Sequence, residues 1–148
     1  MSTDTTKLPA ELVARVLISE LVDEFYSRID RRESTADLLT EDATFKTPNR
    51  DAEGRSGVAD LLLNLADVRK EKGRESRHFG SNVSVSSLGD GRYRVRSLVI
   101  VFSLDSQPTA AGVLNMGDHD DIVVVDDAGK ARFASRAMTP VLQLGLTA

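Results

Sequence analysis

The sequence contains no cysteine, so disulfide bonds, thiolate nucleophiles and cysteine-ligated metals are excluded. It has no apolar run near the roughly 20 residues that span a bilayer. The N-terminal segment MSTDTTK is polar and lacks the apolar core of a signal peptide. We therefore expect a cytoplasmic protein that does not insert into a membrane. A phosphate loop, a dinucleotide fingerprint and the residue order of a Ser/His/Asp triad are also missing.

The sequence also has fewer basic than acidic residues. The chain has 19 Lys and Arg residues against 23 Asp and Glu residues, which gives a formal net charge of −4. A general nucleic-acid binder is normally basic, so the composition argues against this class of protein. Arg92, Arg94 and Arg96 share one face of a predicted strand, but no aromatic residues alternate with them. We interpret this stripe as a solvated strand end.

What remains is the composition of an ordinary globular protein. Of the 148 residues, 41% are hydrophobic and 28% are charged, which is typical of a folded domain. This length is sufficient for one domain with a real core. No repeat, linker or low-complexity segment is present, so we predict a single domain at residues 8–148. We predict that residues 1–7 form a flexible tail.

The first half of the chain shows helical periodicity. Apolar residues recur at helical spacing from Pro9 to about Asp30 and predict the first helix. The following pattern predicts a short helix near Ser34, a short strand at residues 43–47, a polar loop at residues 49–56 and a helix from about Ser56 to Gly73. The helix dipole disfavours a carboxylate at the end of the first helix. Asp30 therefore either pairs with a group in a pocket or lies solvated beside Arg31.

A hairpin centred on Asp90-Gly91 organises the second half. This dipeptide is the most favoured one for a two-residue type I′ turn. The turn places Phe79 opposite Phe102, on an apolar face that also bears Leu98 and Ile100. The other face carries His78, Asn82, Ser84, Ser97, Val99 and Val101. Such a mixture of apolar walls and polar groups is typical of a pocket lining, although a bulge near Gly80 would move His78 to the other face.

Two more strands are predicted at residues 110–126 and 130–144. A two-residue turn at residues 128–129 predicts the cross-strand pairs Asp121–Arg136 and Val124–Phe133. The segment from Gly117 to Asp121 is rich in carboxylates, but successive strand residues point to opposite faces. Only His119 and Asp121 could therefore converge, and without a third ligand we predict no metal site.

Helices precede long antiparallel strands, which indicates an α+β domain with helices packed on one face of a sheet. The runs at residues 98–102 and 122–125 are apolar at every position, whereas a sheet with one wet face should alternate. Because the helices can cover only one face, a second copy of the chain is the simplest cover for the other. We therefore predict a homodimer, with the C-terminal tail as the alternative cover.

The order and spacing of these segments resemble the SnoaL-like branch of the nuclear transport factor 2-like superfamily. The resemblance covers residues 10–142 and is carried by the segments YSRID at 26–30 and LTEDA at 39–43, Gly57, Arg77-His78 with Asn82, the turn at 89–91 and the Asp121–Arg136 pair. It implies a cone, in which a curved antiparallel sheet wraps around the helices and leaves a deep pocket.

The resemblance also implies a chemistry. In scytalone-dehydratase-like members, an aspartate at the end of the first helix and a histidine on the long strand perform acid–base catalysis. These roles map onto Asp30 and His78, with Tyr26 as a hydrogen-bond donor. The second histidine of such enzymes would fall at residues 93–103, where this chain has none. An arginine–aspartate relay of the limonene-epoxide-hydrolase type is not evident.

We therefore predict a cofactor-independent dehydratase or isomerase of the scytalone dehydratase and ketosteroid isomerase type. Its partner would be a small apolar or cyclic molecule. The residues predicted to bind this substrate are Phe25, Asn82, Val99, Val101 and His119. The fold also hosts non-catalytic ligand-binding proteins and structural subunits such as the small subunit of ring-hydroxylating dioxygenases, and both alternatives stay open. On either alternative, His78 is satisfied by local hydrogen bonds.

Overall fold

The structure, a computed structural model, describes residues 8–105 and 112–146. Its elements are α1 (Ala10–Arg31), a 3-10 helix (Ala36–Leu38), β1 (Leu39–Thr47), β2 (Arg50–Glu53), α2 (Arg55–Glu71), β3 (Arg74–Gly89), β4 (Arg92–Asp105), β5 (Gly112–Val125) and β6 (Ala131–Leu146). The six strands form one curved sheet in the order β2-β1-β6-β5-β4-β3. The predicted tail at residues 1–7 and the predicted start of a strand at residues 110–111 lie outside the described residues.

The predicted α+β cone is confirmed, but the sheet is mixed rather than antiparallel. β1 runs parallel to β6, with Phe45 opposite Arg136, while every other described strand pair is antiparallel. The predicted loop at residues 49–56 is also wrong, because residues 50–53 form β2 and pair with β1. β2 is a short, polar edge strand, so it shows no hydrophobic alternation that the sequence could reveal.

The two α-helices pack their apolar sides against the inner face of the sheet. α1 ends one residue beyond the predicted Asp30, and Arg32 terminates it in the left-handed conformation with φ 58°. Ile18, Val22 and Phe25 of α1 are almost fully buried. Burial of each such side chain contributes about 1.5–3 kcal/mol to folding. None of the described helices combines the length and the apolar character that crossing a membrane requires.

The β3–β4 hairpin turns where it was predicted to, but its register differs. Asp90 and Gly91 both have positive φ, at 52° and 70°, as a type I′ turn requires. Phe79 lies opposite Ile100 instead of Phe102, because the register shifts once between residues 87 and 89 and again between residues 81 and 84. Each shift is one residue, so the second restores His78 to the inner face.

In the part of β3 between the two register shifts, side chains predicted on the inner face of the sheet lie on the outer face, and the reverse. Val83 and Val85 pack against the core, whereas Asn82 and Ser84 are exposed. Asn82 itself has φ 53°, a left-handed conformation that asparagine tolerates better than most residues. The prediction that Asn82 shares the inner face with His78 is therefore wrong, and the bulge is the physical reason.

The β5–β6 hairpin confirms one predicted pair and corrects the other. Asp121 lies opposite Arg136, but Phe133 lies opposite Val123 rather than Val124. The backbone N–H of Asp126 donates to the Lys130 carbonyl at 3.0 Å, so the loop has three residues instead of two. A register shift between Ile122 and Val123 compensates for the additional loop residue, so Asp121 still lies opposite Arg136 as predicted.

Candidate active site

A cavity of about 380 Å³ lies between the helices and the inner face of the sheet. Its apolar walls include Phe25, Phe45, Leu62, Leu65, Val99, Val101 and Met138. Its polar lining includes Tyr26, Arg50, Arg69, His78, Asn115, His119 and Arg136. A mostly apolar chamber with a few converging polar groups is the usual form of a small-molecule site.

His78 and Asp30 form a close pair at this cavity. Nδ1 of His78 lies 2.6 Å from Oδ1 of Asp30, and the backbone N–H of His78 donates to Oδ2 at 3.0 Å. The two side chains are only 9% and 13% exposed. A carboxylate accepts a hydrogen bond from Nδ1–H, so this contact leaves the Nε2 lone pair of the neutral ring available. The pair has the geometry of an oriented imidazole base.

Tyr26 connects this pair to the interior of the site. Its ring stacks on the His78 ring, with centroids 5.5 Å apart and planes at 8°. The hydroxyl accepts a hydrogen bond from Nη2 of Arg136 at 3.2 Å, so its own hydrogen remains available to a ligand. Burial raises the pKa of Tyr26 and keeps it protonated. Gly80 permits the close packing, because a Cβ there would lie 2.9 Å from Cε2 of Tyr26.

Arg136 is a fully buried cation at the cavity wall. Its Nε and Nη2 donate to Oδ2 of Asp121 at 3.1 and 3.0 Å. Its guanidinium carbon lies 4.4 Å from the Phe25 ring centroid and 4.2 Å from that of Phe133. Burial would raise the pKa of Asp121, but the charge of Arg136 and hydrogen bonds from His119 and Arg136 outweigh burial and hold that pKa low. This pair therefore stays ionised.

One nitrogen of this guanidinium has no protein partner. Within the described residues, Nη1 of Arg136 is buried and makes no hydrogen bond. A buried charged donor without an acceptor is costly unless a ligand or water supplies one. The sequence indicated the Asp121–Arg136 pair but not its place at the cavity wall. The free Nη1 had no sequence signal, because it depends on where Tyr26 and Asp121 leave a donor unused.

His119 supplies a second imidazole to the cavity. It comes from β5 and not from residues 93–103, where the resemblance placed the second histidine. Its Nδ1 lies 3.4 Å from Oδ1 of Asp121, and its ring meets the Tyr26 ring edge-on at 6.4 Å. Burial and the charge of Arg136 lower the pKa of His119, although Asp121 opposes this shift. His119 is therefore a neutral group that can hydrogen-bond a ligand.

The structure brings most of the predicted substrate-binding residues together. Phe25, Val99, Val101 and His119 line the cavity. Asn82 does not, because the β3 bulge turns it outward. No cluster of three His, Asp or Glu side chains suited to a metal ion occurs in residues 8–105 and 112–146.

Lowering the pH should destabilise the wild-type protein more steeply than the variant His119→Gln. The folded state holds the pKa of His119 below 6.5, so the unfolded state binds more protons between the two pKa values. The free energy of unfolding should therefore fall as the pH drops below about 6.5, by at most about 1.4 kcal/mol per pH unit. Urea denaturation of both proteins between about pH 7.5 and pH 5 measures the slopes. Equal slopes would contradict a neutral, buried His119.

Several solved structures have folds similar to that of this chain. A Novosphingobium aromaticivorans protein named as a candidate scytalone dehydratase aligns with a TM-score of 0.78 and 21% identity, covering 93% of this chain and 91% of its own. LinA aligns with a TM-score of 0.77 and 18% identity, covering 92% and 91%. ActVI-ORFA from Streptomyces coelicolor aligns with a TM-score of 0.73 and 21% identity, covering 85% and 96%. At these identities the likeness establishes the fold.

The family assignment comes from the sequence itself. A search of curated proteins finds no match. A profile of the SnoaL-like domain matches residues 10–137, which include both α-helices, most of the residues that line the cavity and the buried pairs described above. The chain belongs to the SnoaL-like domain family.

Proposed function

We propose that this protein is an enzyme that uses His78 as a base to start an elimination or isomerisation of a small, mostly apolar molecule. The observation that carries this proposal is the 2.6 Å contact between His78 and Asp30 beside a cavity that also contains Arg136. A base and a cationic donor border the same apolar chamber. Proton removal and stabilisation of negative charge can therefore occur on one bound molecule.

The proton transfer starts at His78. Its Nε2 accepts a proton from a substrate carbon, and Asp30 stabilises the imidazolium that forms. The electron pair of the broken C–H bond becomes the new double bond. In an elimination, a hydroxide or halide leaves with the electrons of its own bond to carbon. In an isomerisation, the electrons move onto a carbonyl oxygen as an enolate, and the proton returns at another carbon.

Arg136 and Tyr26 stabilise the negative charge that develops on the substrate. Among the described residues, Nη1 of Arg136 is a charged donor that has no acceptor, and the Tyr26 hydroxyl has a hydrogen to donate. Donors held in a dry site stabilise an oxyanion or leaving group without the reorganisation that water would require. His119, as a neutral imidazole, can hydrogen-bond a substrate hydroxyl and orient it.

The comparisons support elimination as the reaction class. One similar structure is named for scytalone dehydratase, and another, aligned with a TM-score of 0.73 and 18% identity, is a hexachlorocyclohexane dehydrochlorinase. These names denote loss of water and loss of hydrogen chloride. Both reactions remove a proton and a leaving group, which are the two tasks that His78 and Arg136 would share here.

A neutral carbon acid tests this proposal whatever the natural substrate is. 5-Nitrobenzisoxazole opens to a coloured phenolate when a base removes its ring C–H proton. We expect saturable opening by the protein, faster than by free imidazole at the same concentration, followed by absorbance. Saturable binding without acceleration would instead support the non-catalytic ligand carrier, and a rate equal to that of free imidazole would overturn the proposed base.

We further propose that a second copy of the chain covers the outer face of the sheet. Phe79 and Phe102 are 53% and 38% exposed on this face, and their rings pack edge-on at 5.8 Å. Ile100 lies beside them, and the apolar surface continues across the sheet through Leu104 and Leu144. An apolar surface of this extent on a folded chain marks an interaction site.

The variant Phe102→Glu should be monomeric at micromolar concentration, whereas the wild type should be a dimer. An unpaired carboxylate at a covered apolar interface costs several kcal/mol. Ser84→Glu is the matched control, because Ser84 is exposed on the same face opposite Arg96. Light scattering gives the mass of each protein. A wild-type mass equal to that of one chain would contradict the dimer.

A further inference from the structure

Two arginines of the cavity have no part in the chemistry proposed above. Arg50 comes from the edge strand β2 and Arg69 from the last turns of α2, and both line the cavity of about 380 Å³. Arg69 also lines a neighbouring cleft of about 150 Å³ that Asp30 and His78 border. Arg69 therefore borders both the cleft and the cavity, and it shares each of them with His78.

These two cations are not neutralised by the protein. Asp121 balances Arg136, and Asp30 is held by His78 through two hydrogen bonds. In the described part of the chain, the side chains of Arg50 and Arg69 form neither a hydrogen bond nor an ion pair. The cavity therefore has an excess of positive charge at one wall, although the whole chain has a net charge of −4.

The two guanidinium groups are also close enough to repel. Burial and the charge of Arg50 both lower the pKa of Arg69, and the charge of Asp30 only partly offsets them. Two like charges facing a partly enclosed space are unfavourable in the empty protein. A bound anion would remove this repulsion and satisfy both donors.

We propose that Arg69 and Arg50 bind a carboxylate of the substrate, so that the enzyme acts on a small acid with an apolar body. A planar guanidinium matches a carboxylate with two parallel hydrogen bonds, which a neutral group cannot reproduce. The apolar body would occupy the chamber between Phe25 and Val101. This inference rests on the proposed function, because it concerns the same cavity, and it narrows the substrate from an apolar molecule to an apolar acid.

A pair of ligands of equal shape tests the inference. 2-Naphthoate and 2-naphthamide differ in charge but hardly in size, and isothermal titration calorimetry measures the affinity of each. We expect the wild type to bind naphthoate at least about tenfold more tightly. Arg69→Met should weaken naphthoate binding by about 10–100-fold, the effect of losing one hydrogen bond to a charged group. Its affinity for naphthamide should not change, which also shows that the cavity is intact.

Arg77→Met is the matched control variant. Arg77 lies on β3 next to His78, but its side chain is 61% exposed and lines neither cavity. Its naphthoate affinity should equal that of the wild type. Equal wild-type affinities for acid and amide, equal weakening of both by Arg69→Met, or no saturable naphthoate binding at millimolar concentration would each overturn the inference. The elimination assay uses a neutral probe, so its failure would be a separate result against His78 as the base.

Discussion

Replacing His78 with alanine should lower kcat/KM for the opening of 5-nitrobenzisoxazole by about 10²–10⁴-fold, the usual contribution of a positioned acid–base group. The variant keeps Asp30 and the cavity but has no Nε2 to accept the proton. The measurement is the initial rate against probe concentration for both proteins. Asp30→Asn should also cause a large loss, because the amide N–H can donate to Nδ1 and hold the ring in the tautomer whose Nε2 already carries the proton.

The control for this prediction is the neighbouring residue. Arg77→Ala changes a long, exposed side chain on the opposite face of β3, and alternation keeps it away from the cavity. Its kcat/KM should remain within about twofold of the wild type, in the range of an ordinary surface substitution. If His78→Ala retained the wild-type rate, proton transfer would not belong to the His78–Asp30 pair, and the carrier alternative would be the better account of the fold.

Replacing Arg136 with methionine should lower the free energy of unfolding by about 3–5 kcal/mol. Asp121 is completely buried, and among the described residues Arg136 is its only charged hydrogen-bond partner, because His119 is neutral. Without the guanidinium, the carboxylate must either remain unpaired in an apolar interior or take up a proton, and both are costly. Urea denaturation with a common slope for both proteins gives the difference.

Two further variants separate the buried charge from ordinary packing. Arg132→Met removes an arginine of the same strand. Its partner Asp126 lies 2.9 Å away and is exposed to solvent, so the free energy of unfolding should fall by no more than about 1 kcal/mol. The double variant Arg136→Met with Asp121→Leu removes both buried charges and should be more stable than Arg136→Met alone. A double variant that is no more stable would show that the cost lies in lost packing against Phe25 and Phe133.

The comparison of sequence and structure is clearest on β3. Val83 and Val85 alternate with Ser84, and in the structure both valines pack inward. The register counted from the Asp90-Gly91 turn contradicted this and placed Asn82 inside. Counting from a turn assumes an uninterrupted ladder, and a single bulge reverses every side chain beyond it. Hydrophobic alternation was the better guide because it reports burial at each position directly.

Short-range chemistry made some features readable from the sequence alone. The period of apolar residues determined α1, and the preference of Asp-Gly for positive φ determined the β3–β4 turn. The strand pairing of Asp121 with Arg136 followed from a nearby turn. The pairing of His78 with Asp30, 48 residues apart, was reached through the family resemblance, and no local pattern could have established it.

The tertiary structure alone decided which of these groups can act on a ligand. Contacts between distant segments bring His119 from β5 into the cavity. They also leave Nη1 of Arg136 and the side chains of Arg50 and Arg69 without partners in residues 8–105 and 112–146. A sequence pattern records the conformation and burial of neighbouring residues, because those depend on a few dihedral angles and one face of one element. Whether a buried donor finds an acceptor depends on how the two α-helices and the six strands pack together, and only the tertiary structure determines this.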